Sequence, residues 1–253
     1  MAIFGLLIIS HGSRSPEWVR QVDEAAAGVR LPDDIPVVSC FLEIVDGRLI
    51  SDGIRELEDK GVTDIIAVPL FVSAGSTHVD EIAYSLGVVP SPSTETELKP
   101  LPMKARIHWT GPVDDDPIVA QIIYDKIEPM SQVPSEEILF LIGHGSGEPG
   151  FYEKWRGTLE RLAGRVRLLG GFAGAETATL LPDELGTRLA EITRHYPGKA
   201  VLAAPLFMGE GFFTQTVIPS RMKGWVCRYN GEGMLPHPLV SRWIEEKAGY
   251  FLN

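Results

Sequence analysis

Three side chains able to bind a metal ion or accept a proton stand just past three apolar runs in the first half of the chain. They are His11 in Ile-Ser-His11-Gly12-Ser13, Glu43 in Phe-Leu-Glu43, and His78 in Ser73-Ala-Gly75-Ser76-Thr77-His78. Two imidazoles and a carboxylate are a common ligand set for a divalent transition metal. The same groups accept protons near neutral pH. The residues around them, Gly12, Ser13, Ser73, Gly75, Ser76 and Thr77, are small. Small side chains let a large flat ligand approach the backbone. Free amides at the helix starts that follow favour carboxylates or phosphates on that ligand.

The elements that position these groups follow from the apolar pattern. Ile3–Ser10 is an unbroken apolar run, as in a strand covered on both faces. Ser15 suits an N-cap and Pro16 the first helical position, which predicts a helix to about Val29. Val37–Leu42 reads as a second strand. Leu49, Ile50, Ile54 and Leu57 recur at helical spacing and Gly61 stops that helix. Asp64–Phe71 is a third strand, with a short helix over Val79–Leu86 after it. The prolines of Val89–Thr96 mark a loop. Ala105–Trp109 is a fourth strand and Pro117–Ile127 a helix. Strands alternating with helices predict right-handed βαβ units and a parallel sheet. Ligands of such sheets bind beyond the carboxyl ends of the strands, where His11, Glu43 and His78 all fall.

The second half repeats this order. Leu-Phe-Leu-Ile-Gly-His144-Gly145-Ser146 echoes the run around His11, an offset of 133 residues. Ala-Ala-Pro205-Leu206-Phe207 echoes Ala-Val-Pro69-Leu70-Phe71, an offset of 136. The predicted strands are Ile138–Gly143, Val166–Leu169, Ala200–Phe207 and Gly224–Tyr229. Helices are predicted through Phe151, Trp155, Leu159 and Leu162, through Leu185, Leu189 and Ile192, and over Leu239–Tyr250. The fold class is therefore α/β: two tandem lobes, each a parallel sheet flanked by helices, related by internal duplication. The stretch 128–136 is the expected linker, giving lobes over 1–128 and 136–253. In this alignment Thr214 stands where the first lobe has His78. The second lobe has no acid in the place of Glu43, although Glu176 is near. The first lobe is thus expected to carry the active site and the second a degenerate one. His144 either lines the ligand site or caps the sheet. Phe212 and Phe213 replace small residues, as a wall for the ligand or as packing. His108, His195 and His237 read as structural or exposed.

Composition narrows the function. Apolar residues make up 44% and charged residues 23%, with a net charge of −11. That balance argues against nucleic acid, which needs a basic footprint. No apolar run approaches the ~20 residues that span a bilayer, and the first strand lacks the basic flank of a secretory signal. The expectation is a cytoplasmic protein with no membrane partner. Cys40 and Cys227, one per half, are expected as buried apolar side chains. Gly143-His-Gly-Ser146-Gly147 is not a hydrolase elbow, because its serine stands fourth, not third.

These residues resemble the class II sirohydrochlorin chelatases, which insert cobalt or iron into a tetrapyrrole. The resemblance rests on Ile-Ser-His11-Gly-Ser-Arg14, Phe-Leu-Glu43 and Val-Pro69-Leu-Phe-Val-Ser-Ala-Gly75-Ser-Thr-His78. It is strong in the first lobe and weaker in the second. It implies that His11 and His78 bind the metal and take up pyrrole protons, with Glu43 assisting. It further implies that Ser10, Gly12, Ser13, Arg14, Ser73, Gly75, Ser76, Thr77 and His144 contact the tetrapyrrole. Long members of that family carry two lobes in one chain, which implies a monomer. The divalent metal, Co2+, Fe2+ or Ni2+, is then a substrate and no cofactor is permanently bound. Arg14, Arg48, Arg221 and Lys223 are candidates to offset the carboxylates of such a substrate. A non-catalytic tetrapyrrole or metal carrier on the same scaffold is the alternative. Two spatial expectations follow: His11 and His78 face each other closely enough to share one ion, and Glu43 opens onto the same place.

Overall fold

The computed structural model describes residues 2–252. It divides into two compact units. The first comprises the chain up to Val113 together with the chain from Pro236 onward; the second is Asp114–Leu235.

In the first unit, strands β1 (Phe4–Ser10), β2 (Val37–Phe41), β3 (Asp64–Pro69) and β4 (Arg106–Trp109) form one parallel sheet in the order β2-β1-β3-β4. Leu6, Leu7, Ile8 and Ile9 of the central strand are fully buried, as the unbroken apolar run predicts. Helices α1 (Pro16–Ala27), α2 (Ile50–Asp59) and α3 (Thr77–Ser85) follow the first three strands. The hydroxyl of Ser15 accepts the amide of Trp18 at 3.4 Å and so caps α1. Leu7, Cys40, Ile54, Leu57, Ile65 and Ile82 lie in one core cluster on one side of this sheet. Cys40 is fully buried and burial pushes its thiol pKa up, so it behaves as an apolar side chain.

In the second unit, β5 (Glu137–Gly145), β6 (Gly174–Leu181), β7 (Ala200–Leu206) and β8 (Arg228–Tyr229) form a parallel sheet in the order β6-β5-β7-β8. This is the same strand order as in the first sheet. Helices α4 (Pro117–Ile127), α5 (Phe151–Gly170) and α6 (Leu185–His195) belong to it, with a π-helical turn, Phe213–Val217, leading into the short α7 (Ile218–Arg221).

Three expectations need correction. The run Val166–Leu169 is not a strand. Val166 continues the buried helical series Trp155, Leu159, Leu162, while Leu168 and Leu169 face solvent, so α5 runs on until Gly171 (φ +67°) ends it. The second strand of this unit is β6 instead, and Glu176 sits near its start, bonded to the hydroxyl of Tyr196. The lobe boundaries also differ from 1–128 and 136–253. Helix α4 packs on α5 and β7 of the second unit, and α8 (Pro238–Leu252) packs on α1 and β3 of the first. Ser241 donates to the carbonyl of Ala25 at 2.7 Å, and the ring of His108 lies between Phe4 and Phe251 at 5.5 and 5.4 Å. Finally, 128–136 is no free linker. Its two short 3-10 helices are anchored to the second unit by Glu137, whose buried carboxylate accepts the hydroxyl of Ser131 and the amides of Gln132 and Val133.

Candidate active site

In the first unit the hydrogen-bond ladder between β1 and β2 continues past both strands. The carbonyl of Ser10 accepts Leu42 N–H at 2.8 Å, and that of His11 accepts Glu43 N–H at 3.1 Å. This pins the Glu43 backbone beside His11. Gly12 makes the approach possible. Its φ is +104°, and a Cβ there would stand 2.0 Å from the carbonyl oxygen of Glu43.

His78 follows the third strand across the loop 70–76. Helix α3 starts at Thr77, two residues earlier than the spacing predicts, so His78 lies in its first turn. The rings of His11 and His78 meet edge-on, with centroids 4.7 Å apart at 80°. Phe71 backs both, at 6.5 Å from each. The two imidazoles are partly exposed, 39% and 41% of their side chains. Nδ1 of His11 lies 3.1 Å from the carbonyl of Gly12, and Nδ1 of His78 lies 2.6 Å from a carboxylate oxygen of Glu81. A carbonyl and a carboxylate only accept, so in a neutral imidazole each contact is satisfied by a proton on Nδ1, the form that leaves the lone pair on Nε2. Nε2 of His11 is 3.7 Å from the Glu43 carboxylate, which is more than half exposed. Among the described residues no three His, Cys, Asp or Glu side chains close tightly around one point. The site is a pair of imidazoles with an acid beside it rather than a caged ion site.

An open groove of about 560 Å³ adjoins it, lined by Ser13, Arg14, Val19, Ile44 and Val45. Arg14 is exposed and makes no ion pair among the described residues. Ser76 and Thr77 are partly exposed beside His78, with Gly75 buried behind them. Ser10 and Ser73 stand elsewhere than expected. Both are fully buried, and the Ser73 hydroxyl accepts the amide of Gly75 at 3.0 Å, so it shapes the turn from beneath. Arg48 also leaves the set of substrate candidates. It forms a pair with Asp23 at 2.6 Å, bonds Ser39, and lies 4.8 Å over the Phe41 ring. The guanidinium holds the Asp23 carboxyl below its ordinary pKa. Arg221 is likewise engaged, with the carbonyl of Leu180 and with Asp183.

The second unit builds the same corner with other chemistry. His144 Nδ1 lies 3.0 Å from the carbonyl of Gly145, matching His11 and Gly12. Gly145 (φ +79°) would place a Cβ 2.1 Å from the carbonyl of Leu181, so Leu181 occupies the position of Glu43. The expected partner Thr214 is buried and bonded to Gly211. The ring that meets His144 is Phe213, at 4.9 Å and 84°, with Phe207 at 6.4 Å in the role of Phe71. Counting from the Pro-Leu-Phe motif places the partner one residue too late, because the chain here enters a π-helical turn. Glu81 is equally invisible in the pattern of strand ends; its signal is the i+3 spacing from His78 on one helix face.

Residues 5–130 match the family model described as CbiX. Among curated proteins, the chain is 24% identical to the sirohydrochlorin cobaltochelatase of Methanopyrus kandleri, a match covering 49% of this chain and 94% of that protein. It is 29% identical to the enzyme of the same name from Methanothermobacter thermautotrophicus, over 49% of this chain and 90% of that one. Half of this chain thus spans nearly the whole of such relatives. Among solved structures, SirB from Bacillus subtilis with Fe3+ superposes with a TM-score of 0.74 at 17% identity, covering 98% of this chain and 95% of that chain. The structure of CbiX described as the terminal enzyme of sirohaem biosynthesis in denitrifying bacteria gives 0.66 at 20% identity, covering 98% and 100%. These likenesses establish the fold: two parallel four-stranded sheets flanked by helices, consistent with duplication.

Proposed function

Because its first half, residues 5–130, belongs to the CbiX family, we propose that this protein is a sirohydrochlorin chelatase, inserting Co2+ or Fe2+ into the tetrapyrrole on the way to cobalamin or sirohaem. The observation that carries the reading is the edge-on pair His11 and His78, 4.7 Å between centroids, each with Nδ1 against an acceptor.

Insertion of M2+ releases two pyrrole protons, so the site must hold an ion loosely and accept protons as the ion leaves. Two imidazoles without a third tight ligand suit a transient ion better than a permanent one. Imidazole serves in turn as ligand and base, and Glu43, beside His11, takes a proton onward to solvent. Ser13 and Arg14 in the groove, with Ser76 and Thr77 beside His78, contact the macrocycle and its carboxylates. Gly12 lets the backbone approach it. The second unit, with Phe213 and Leu181 where the first has His78 and Glu43, lacks the second base and the acid, and His144 acts in binding only. Among the described residues no helix is long and apolar enough to cross a membrane; the protein is read as a cytoplasmic monomer.

The test is an anaerobic absorbance assay of sirohydrochlorin with Co2+, Fe2+ and Ni2+ in turn. Metal-dependent conversion faster than the uncatalysed rate is expected with Co2+ or Fe2+. Tight binding of metal or tetrapyrrole without turnover would replace this reading with the carrier.

A further inference from the structure

His78 is backed by a chain of hydrogen bonds that the proposed reaction does not itself use. Oε1 of Glu81, one turn along α3, lies 2.6 Å from Nδ1 of His78. Oε2 of the same carboxylate accepts the hydroxyl of Thr96 at 2.7 Å, and that hydroxyl oxygen accepts the amide of Leu98 at 3.1 Å. The neighbouring acid, Asp80, accepts the amide of Ser93 at 2.6 Å and its hydroxyl at 2.8 Å. Two consecutive acids of α3 therefore strap the proline-rich stretch 89–97 to the helix that carries His78. Only Glu81 also touches the histidine, and its side chain is four-fifths buried.

We propose that Glu81 is a positioning residue for His78. An unconstrained histidine in water prefers its proton on Nε2. A carboxylate fixed against Nδ1 reverses that preference and sets the ring, so that the lone pair of Nε2 is the atom offered to an incoming ion or pyrrole N–H. Thr96 holds Glu81 in turn, which gives the proline-rich stretch a role behind the site. The proposal rests on the reading of His78 as metal ligand and base. Asp80 shares the strapping but not the contact with the imidazole, so the two contributions can be separated.

The decisive measurement is the ring 15N NMR spectrum of His78 in the metal-free full-length protein, at a pH where imidazole is neutral. The Nδ1–H form is expected in the wild type. Glu81→Ala should move His78 toward Nε2–H, Glu81→Gln should keep Nδ1–H because its amide oxygen still accepts, and Asp80→Ala should leave the tautomer unchanged. In parallel, Glu81→Ala should lose about 10–100-fold in Co2+ affinity or kcat, with Glu81→Gln recovering most of it and Asp80→Ala near wild type. A wild-type His78 protonated on Nε2 overturns the proposal, and this reading needs no variant to fold. So does an unchanged tautomer in Glu81→Ala, a shifted tautomer with undiminished Co2+ affinity and kcat, or an equal effect of Asp80→Ala. The tautomer is read without metal or tetrapyrrole. A protein inactive in the absorbance assay would remove the proposed reaction and leave that result standing.

Discussion

Phe213 meets His144 as His78 meets His11: edge-on, at 4.9 Å and 84° against 4.7 Å and 80°. The duplicated scaffold has kept the position of the second ring and changed its chemistry from a base to a hydrocarbon. Phe212 beside it is exposed, so this corner of the second unit offers aromatic surface rather than a second lone pair.

If the first unit does the chemistry, His78→Ala should remove most metal insertion while leaving the fold intact. General acid–base assistance is worth ~10²–10⁴-fold in rate, and loss of a ligand adds to it. His144→Ala should mainly raise KM. Steady-state kinetics on both variants, with circular dichroism to confirm folding, make the comparison; equal losses in kcat would end the one-site model.

The missing imidazole can be restored. Phe213→His places a second imidazole against His144, and the protein should then bind a second Co2+, more weakly than the first because Leu181 stands where Glu43 would be. Isothermal titration with Co2+ alone reads the stoichiometry. A variant that still binds a single ion shows that ring placement is insufficient to make the site.

Gly12→Ala and Gly145→Ala separate backbone strain from chemistry. Each puts a Cβ about 2 Å from a carbonyl oxygen, of Glu43 and of Leu181 respectively, at a positive φ that costs roughly 1–3 kcal/mol for a side chain. Both should lower the urea midpoint. Only Gly12→Ala should also cut kcat, since only there does the displaced strand end carry Glu43 beside His11.

Glu137 sets a pH dependence in the second unit. Burial alone raises its pKa, but the hydrogen bonds from Ser131, Gln132, Val133 and Arg228 outweigh this and hold it below the ordinary carboxylate value. A carboxylate depressed by folding contributes stability above its unfolded pKa and loses it as pH falls through the folded one. The urea midpoint should therefore drop on acidification. Glu137→Gln should flatten that limb and cost about 1–3 kcal/mol at neutral pH. An unchanged acid limb in the variant would assign the acid sensitivity elsewhere.

The strand ends are legible in the sequence because a parallel strand buried on both faces leaves a continuous apolar run, and the residue that stops it lies at the ligand edge. That is how His11 and Glu43 stand out from residue order, whereas His78 lies further on, past a loop of small residues and in the first turn of α3. What stays hidden depends on contacts the pattern does not encode. The run Val166–Leu169 reads as a strand because it is short and apolar, yet only Val166 faces the core. Glu81 acts through a helix that starts two residues earlier than expected, and Phe213 through a π-helical turn that shifts the count by one. The helix exchange is hidden for a different reason. The sequences of α4 and α8 specify which face is apolar, not which sheet receives it.

That exchange makes the second unit complete along the chain before the first. The first unit needs α8, which ends at Leu252, whereas every residue of the second is in place by Leu235. During synthesis the second unit, though later in sequence, can close first, and the half that carries His11 and His78 waits with one flank of its core uncovered until α8 emerges. A chain cut after residue 128 would keep every residue assigned to the chemistry, yet it would expose the face that α8 covers and leave α4 without the sheet it packs on.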